Sequence, residues 1–422
     1  MDSKLKILPF AILFIPTIAF AQFSGYLSSS YGYNANPLYN YAQAPDQLSQ
    51  SYIELHHESD FDNSSLDLVY TGGLMVFNQF NERSYYEHSL AGRWGLTTEE
   101  PEDERPEVDS TGAYLASELR FTARHDKNTF EVYDNTSGAL NVSYRTMTNG
   151  SLFMRISNKA EYRSYKLVDE LSNFTDILTL SLGSHVHDRV YFETFLSAGV
   201  KHYTTTLNDT STYETIESTG SGTGTVTGTG HGNGKGNGNS GGSSGSAPGF
   251  VKKQHLYVTP ESNTSWQYVA GAILGKQWAT STATLAFLYR YNPTTTVRYV
   301  AQYVSTSTLS EDIYNDHFAY EGAEAGFTFS QSLPKRITAA LHFQWAGRTY
   351  GAPALSLDGV QVATQRKDNH AALELTLSKG FTIAEGVELE VNLTGNATRN
   401  SSNDEYNDYS GSAVAVGVAV GF

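Results

Sequence analysis

The densest group of possible metal ligands in the chain is His56-His57-Glu58, with His88 further along. Imidazole and carboxylate groups of this kind suit zinc. On an extended strand, however, His56 and His57 point to opposite faces, and no third ligand stands at a workable spacing. His185 and His187 share a face but fall in a predicted turn. No metal is expected at either place. Glu388 and Glu390 put two carboxylates on one strand face, an arrangement that acid–base hydrolysis could use. Polar neighbours are also what any water-facing side of a sheet carries. Ser and His occur throughout, so no Ser–His–acid set has a distinguishing spacing. No nucleophile elbow, Walker-type loop or dinucleotide glycine fingerprint sits in a strand-to-helix context. The 422 residues contain no Cys, which excludes thiol catalysis and thiolate metal sites. The sequence is read as a non-enzyme that needs no cofactor.

The elements that hold these residues are strands. From Gly411 to Phe422, Val414, Val416, Val418, Val420 and Phe422 fall on one parity. Gly411, Ala413, Ala415, Gly417, Ala419 and Gly421 fall on the other. A strand sends alternate residues to opposite faces, so this segment has one apolar face and one face of very small residues. The same alternation recurs in 387–393, 373–378, 337–345, 284–291 and 152–157. No segment of comparable length shows a helical stripe. Candidate strands are 23–33, 49–59, 65–77, 85–96, 112–124, 137–147, 151–164, 173–184, 189–203, 264–277, 282–292, 317–330, 336–349, 368–378, 386–397 and 409–422. Their lengths suit tilted strands crossing a bilayer, and no apolar run after the first residues is long enough to span as a helix. Aromatics make up 13% of residues, with 28 Tyr and 21 Phe, as interface girdles require. The fold class expected is all-β: an antiparallel up-and-down transmembrane β-barrel of about 16 strands, with 14 to 18 compatible with the pattern. A formal net charge of −16 makes nucleic acid an improbable partner.

Lys4 and Lys6, the apolar stretch Ile7 to Phe20 and the small-x-small triplet Ala19-Phe20-Ala21 have the layout of a secretory signal peptide. Residues 1–21 would be removed between Ala21 and Gln22, leaving 22–422 as a single barrel domain. Its connections sort into two lengths. Short turns are expected at Lys379 to Glu385, Gln331 to Lys335, Ala279 to Ser281, His185 to Asp188 and Thr148 to Gly150, on the periplasmic side. Long loops are expected at Thr204 to Asn263, Thr294 to Asp316 and Gly351 to Lys367, on the outer side. The acidic connection Thr97 to Ser110 strains this scheme, since the strand count puts it with the short turns. The insertion at 204–263 contains a tract, Thr219 to Gly249, of Gly, Ser, Thr and Asn that cannot bury enough apolar surface to order itself. It reads as a disordered surface loop.

The signal peptide ending Ala19-Phe20-Ala21 and the terminal pattern Val414, Val416, Val418, Val420, Phe422 resemble the outer-membrane β-barrel class of Gram-negative bacteria. Val420 stands where that class often has Tyr. The resemblance covers the mature chain in pattern and is class-level. It implies an outer-membrane location with membrane lipid, periplasmic chaperones and the barrel assembly machinery as partners, the last reading the terminal strand.

Parity assigns to the lumen Glu54, His56, Glu58, Glu87, Arg93, Glu118, Glu161, Glu193, Lys201, Arg290, His342 and Arg348. It also assigns there a basic group, Arg120, Arg124, Arg155, Lys159 and Arg163, and an acidic group from the first and last strands, the last supplying Glu324, Glu374, Glu388 and Glu390. The two groups could face each other and set a transverse field, as in a solute channel. Opposite charges pairing within a wet lumen would look the same in sequence. The first functional expectation is a passive, porin-like channel for small polar solutes. The alternative is a non-conducting surface barrel whose loops serve adhesion, recognition or envelope structure. Deleting Thr219 to Gly249 is expected to leave assembly unchanged, checked by the heat-modifiable gel shift of folded barrels. Under the surface-barrel reading it should also alter binding to cells or matrix.

Overall fold

Inside a bilayer no water is available to the backbone, so a sheet that crosses it has to pair every edge. The computed structural model describes residues 23–97 apart from 38, 40, 42 and 62, then 113–148, 152–185 apart from 168, 189–205, 212–216, 251–257, 263–293, 299–300, 316–356 and 361–422 apart from 406. Strands β1 Phe23–Asn34, β2 Asp46–Phe61, β3 Ser64–Phe77, β4 Tyr85–Thr97, β5 Ala113–Asp126, β6 Asn135–Thr148, β7 Leu152–Tyr165, β8 Asn173–His185 and β9 Val190–Tyr203 form the first part of a barrel. After β10 Thr212–Ile216 and β11 Val251–Tyr257, the barrel resumes with β12 Thr264–Gln277 and β13 Ser281–Tyr291. The short β14 Tyr299–Val300 follows, and then β15 Tyr320–Leu333, β16 Ile337–Leu355, β17 Gln361–Ala384, β18 Val387–Ser402 and β19 Tyr409–Gly421. Sixteen of these strands close into one barrel, each antiparallel to its neighbours, and β10, β11 and β14 make a separate three-stranded sheet.

Closure is made by β1 against β19, in register from Tyr26 opposite Gly421 to Asn34 opposite Ala413. Beyond that ladder Gly25 and Phe422 exchange both backbone hydrogen bonds, at 2.8 and 3.0 Å. The Phe422 ring lies where a Cβ on Gly25 would stand, so glycine is what lets the ring pack flat across the seam.

The pairings carry one parity around the whole ring. Val416 stands opposite Tyr31 and Leu393, Tyr31 opposite Ser49, and Leu393 opposite Leu377. The outer face is exposed and apolar at mid-height, with Leu90, Leu119, Leu140, Leu180, Leu196, Leu285, Leu375, Val416 and Val418. Aromatics gather toward both strand ends. Tyr31, Tyr86, Tyr162, Phe174, Trp266 and Tyr291 lie toward one end, and Phe61, Trp94, Tyr144, Phe192 and Phe381 toward the other, all exposed. An aliphatic band between two aromatic girdles is the surface a bilayer selects.

All sixteen candidate strands correspond to barrel strands. Their limits differ in places, each for a physical reason. Lys379 to Ala384 is strand, and the turn is only Glu385 and Gly386. Gly386 has φ +73°, the left-handed conformation that a two-residue hairpin needs and glycine adopts freely. The expected loop Gly351 to Lys367 is mostly an extension of the β16–β17 hairpin, with register irregularities between Thr349 and Leu355. Its apolar residues, such as Ala354, Leu355, Val362 and Ala363, fall on both parities, because an extension above the lipid has no single apolar face to keep. The strand expected from 317 starts at Tyr320, because His317–Ala319 is a 3-10 turn.

Both β1 and β19 have their outer chain ends at the short-turn end of the barrel. With sixteen strands the link from Thr97 to Ala113 lies at that same end, although residues 98–112 are outside the described ones. So are residues 1–22, with the expected cleavage at Ala21 and Gln22, and the tract 219–249. The expected insertion 204–263 contains β10 and β11.

Parity makes a prediction. Val416→Asp with Val418→Asp puts two carboxylates on the apolar face, each costing up to about 2 kcal/mol near mid-membrane. Ala413→Asp with Ala415→Asp puts them inside. The first pair should strongly reduce the heat-modifiable folded band in vesicles, and the second should leave most of it.

Candidate solute passage

The inner face is assembled from the polar parity of every strand, and its charges are organised by pairing between neighbours. On β3 to β5, Arg93 donates to Glu118 at 2.7 Å and reaches Asp67 at 3.4 Å, while Arg120 donates to Glu118 at 2.9 Å. Arg124 meets Asp126 at 2.8 Å, and its guanidinium stacks 3.9 Å from the Tyr85 ring centre. On β7, Glu161 accepts from Arg163 at 2.7 Å and pairs with Lys159 at 3.2 Å. Arg155 reaches past β8 to Glu193 on β9, which only a concave inner surface allows. Arg290 donates to Glu324 at 2.8 Å, and Glu324 also accepts from the Tyr320 hydroxyl at 2.6 Å. Arg366 and Asp368 form a buried pair on β17, with Nε to the two carboxylate oxygens at 3.0 and 3.1 Å. Arg145 differs from these. Its guanidinium lies 4.5 Å from the Phe153 ring centre, and among the described residues it has no carboxylate partner.

Register therefore places Arg120, Arg124, Arg155, Lys159 and Arg163 on the inner face of one arc, β5 to β7. Glu374, Glu388 and Glu390 lie on the inner face of β17 and β18. In the ring of sixteen, β6 and β17 are diametrically opposed. Glu324 does not belong with that acidic group; it is on β15 and neutralised by Arg290. Glu388 sits at the short-turn rim, strongly exposed, 3.5 Å from Arg336. The histidines are dispersed. His56 points inward between Glu54 at 2.6 Å and Asp67 at 3.3 Å. His57 is on the outer face, stacked 4.5 Å from Phe23, and the outer Tyr70 hydroxyl bonds to His88 at 2.7 Å.

Space inside the barrel is unequal. On the β7 to β12 side large rings cover small residues. Phe153 lies over Gly183, Phe195 over Gly271 and Tyr191 over Gly275, each occupying the place of a Cβ. Ser181 and Glu193 beneath them are buried. On the opposite side the terminal strand presents Ala413, Ala415 and Gly417 to a cavity of about 550 Å³. Its lining also takes Ser28, Ser30, Gln50, Tyr52, Glu374, Asn392, Thr394 and Asn396 from β1, β2, β17 and β18. A Cβ on Gly417 would stand 2.5 Å from Asn392 Oδ1, so this glycine is required for the Asn392 amide to lie along β19. Glu374 and Glu390 are exposed although they face inward, so the wall beside β19 is open to water.

The long-loop end is narrowed by a segment expected as the last residue of a loop, Asp316, and the first of a strand, His317 to Ala319. Asp316 caps the His317–Ala319 turn, accepting from the Phe318 amide at 3.0 Å. It also binds Lys201 on β9 at 2.5 Å. Phe318 is buried against Gly199, and Asn292 donates to the Phe318 carbonyl at 3.1 Å. Gln267 donates to the His317 carbonyl. The turn is thus pinned to the inner wall of β9 and β12. Its local signal was an Asp two residues before an apolar pair at a strand start, a capping pattern that alternation does not register. Burial alone would raise the Asp316 carboxyl. The Lys201 ammonium and the Phe318 amide outweigh it and hold the carboxyl below the ordinary carboxylate range.

A closed, even-numbered antiparallel barrel, with an apolar girdle outside and a charged, hydrogen-bonded interior, is the outer-membrane β-barrel architecture. No protein-family model matches the sequence, and no curated protein does. Among solved structures the chain is similar to a bacterial polysaccharide outer membrane secretin, at 8% identity and TM-score 0.43, covering 96% of this chain and 99% of that one. It is also similar to the outer membrane protein OpdK of Pseudomonas aeruginosa, at 8% identity and TM-score 0.44, covering 95% of this chain and 99% of that one. OpdQ of the same organism is 10% identical, with TM-score 0.43, covering 95% of this chain and 98% of that one.

The Asp316 anchor should respond to acid. Its folded carboxyl lies below the unfolded value of about 3.9, so its contribution is complete above that value. It is lost as pH falls through the lower folded value. Asp316→Asn leaves Lys201 buried without its anion, a loss of roughly 3–5 kcal/mol in comparable pairs. Amide exchange at Phe318 and Ala319 should be much faster in the variant at neutral pH. In the unaltered protein the same acceleration should appear only in strong acid.

Proposed function

We propose that the protein is an outer-membrane channel through which small polar solutes pass along the inner wall beside the closing strand. One observation carries this reading: the cavity of about 550 Å³ lies inside a closed barrel and is lined by hydroxyls, amides, one carboxylate and the small face of β19. A wall of this composition offers hydrogen bonds to a solute without holding it tightly, which is what passage requires. The apolar outer band and its two aromatic girdles support residence in a bilayer. Export through a signal peptide cleaved between Ala21 and Gln22, chaperone escort across the periplasm and insertion by the barrel assembly machinery belong to the same reading.

The opposed arcs support a weaker field than a count of residues suggests. Most cations of β5 and β7 are already matched to a carboxylate on the same or a nearby strand.

Purified protein in a planar lipid bilayer should give discrete conductance steps in potassium chloride. A preparation that is folded by the gel-shift test and electrically silent would overturn the channel reading.

A further inference from the structure

Among the described residues Glu374 is the one ionised side chain lining the cavity. Its cross-strand neighbours are His342 and Asn396, and among the described residues it makes no ion pair. Glu390 shares the inner face of β18 with Asn392, is exposed, and likewise has no ion-pair partner among the described residues. Among the described residues no Lys or Arg lines the cavity. On the same side of the lumen, Arg366 of β17 is held by Asp368, and the Arg348 guanidinium of β16 lies 4.9 Å from the Tyr320 ring centre. The cations of β5 and β7 sit on the opposite arc in contact with Glu118, Asp126, Glu161 or Glu193. Arg145 is spread over the Phe153 ring on that same far arc. A paired charge presents a short-range dipole to a passing ion, whereas an unpaired one acts at its full Coulomb range within a Debye length. The cavity is likewise on the carboxylate side, while rings lie over glycines on the β7 to β12 side.

Resting on the channel reading, we infer that the passage prefers cations, and that Glu374 and Glu390 set this preference for inorganic cations and small ammonium-bearing solutes over anions of the same size. Two unpaired carboxylates beside the wet wall raise the local cation concentration and oppose anions. The neighbouring amides and hydroxyls of Asn392, Thr394 and Gln50 replace part of the hydration of a cation through their oxygens.

The test is the reversal potential of single channels in a potassium chloride gradient at neutral pH. The expected sign is that of a cation-preferring pore, with a permeability ratio of about threefold or more, the scale one or two unit charges set at these separations in water. Glu374→Gln with Glu390→Gln should bring that ratio close to one while conductance steps persist, and Arg145→Gln should leave it in place. A second measurement needs no variant: raising the salt on both sides to about 1 M, where the Debye length falls to about 3 Å, should erase the preference. Conductance with no preference, with an anion preference, or with a preference that survives both the double substitution and high salt overturns the inference and leaves the channel reading standing. Absence of conductance from folded protein overturns both.

Discussion

The structure depends on one requirement, that no backbone amide or carbonyl be left open to lipid. In this chain the requirement is met at the seam between β1 and β19, where the ladder runs from Tyr26 to Asn34 and ends in the mutual hydrogen bonds of Gly25 and Phe422. Every other pairing is between strands adjacent in sequence or joined through the long-loop end. The seam alone joins the first strand to the last, so it is formed only when the whole chain is present. An unsatisfied group in the bilayer core costs several kcal/mol, and an unclosed sheet would carry a full row of them on each edge. Closure also settles the faces, because one register error at the seam would turn valines inward and carboxylates outward.

Interior chemistry follows from that arrangement with little freedom. Once alternate residues must face inward, a barrel of this circumference holds many charges, and they are stable there only with counter-charges or water. The two sides of the lumen take these two solutions separately. Across β3 to β9 the charges pair between neighbouring strands, and from β7 to β12 rings pack over glycines. From Gly411 to Gly421 nothing larger than Ala projects inward from β19, and the neighbouring Glu374 and Glu390 are exposed. The pinned turn at Asp316 belongs to the first kind of solution, a buried pair that positions chain in the mouth.

Strand number and faces were legible in the sequence because lipid enforces a period of two wherever a strand crosses it. The terminal segment shows this best, with valines at 414, 416 and 418 against Ala and Gly between them. Legibility failed where lipid no longer acts. Gln361 to Lys367 has no sustained alternation, with Val362 and Ala363 on opposite parities, so its strand conformation came from pairing with β16 and had no signature of its own. The turn Glu385–Gly386 was hidden for a related reason: Thr382 and Ala384 at the barrel rim look like loop residues. Charge identity was legible, while charge partnership was not. Glu324 and Glu374 are equivalent by parity, yet one is bound to Arg290 and the other is open to water. That difference comes from which strands are two apart around the ring and from side-chain reach, quantities set by tilt and stagger and invisible to alternation.

The bare inner face of β19 has a consequence for how such a barrel can change over generations. The strand that fixes the calibre of the passage also carries the lipid-facing valines and the closing hydrogen bonds, and Gly417 already has Asn392 against it. A substitution that narrowed the bore at Gly417 would have to displace the Asn392 amide from between β18 and β19, and selection on folding would remove it. The charges sit on β17 and β18, where exchanging Glu for Gln alters no pairing and no packing at the seam. Bore is therefore inherited together with foldability, whereas preference is free to drift, and related barrels built on this plan should diverge in what they admit long before they diverge in how wide they are.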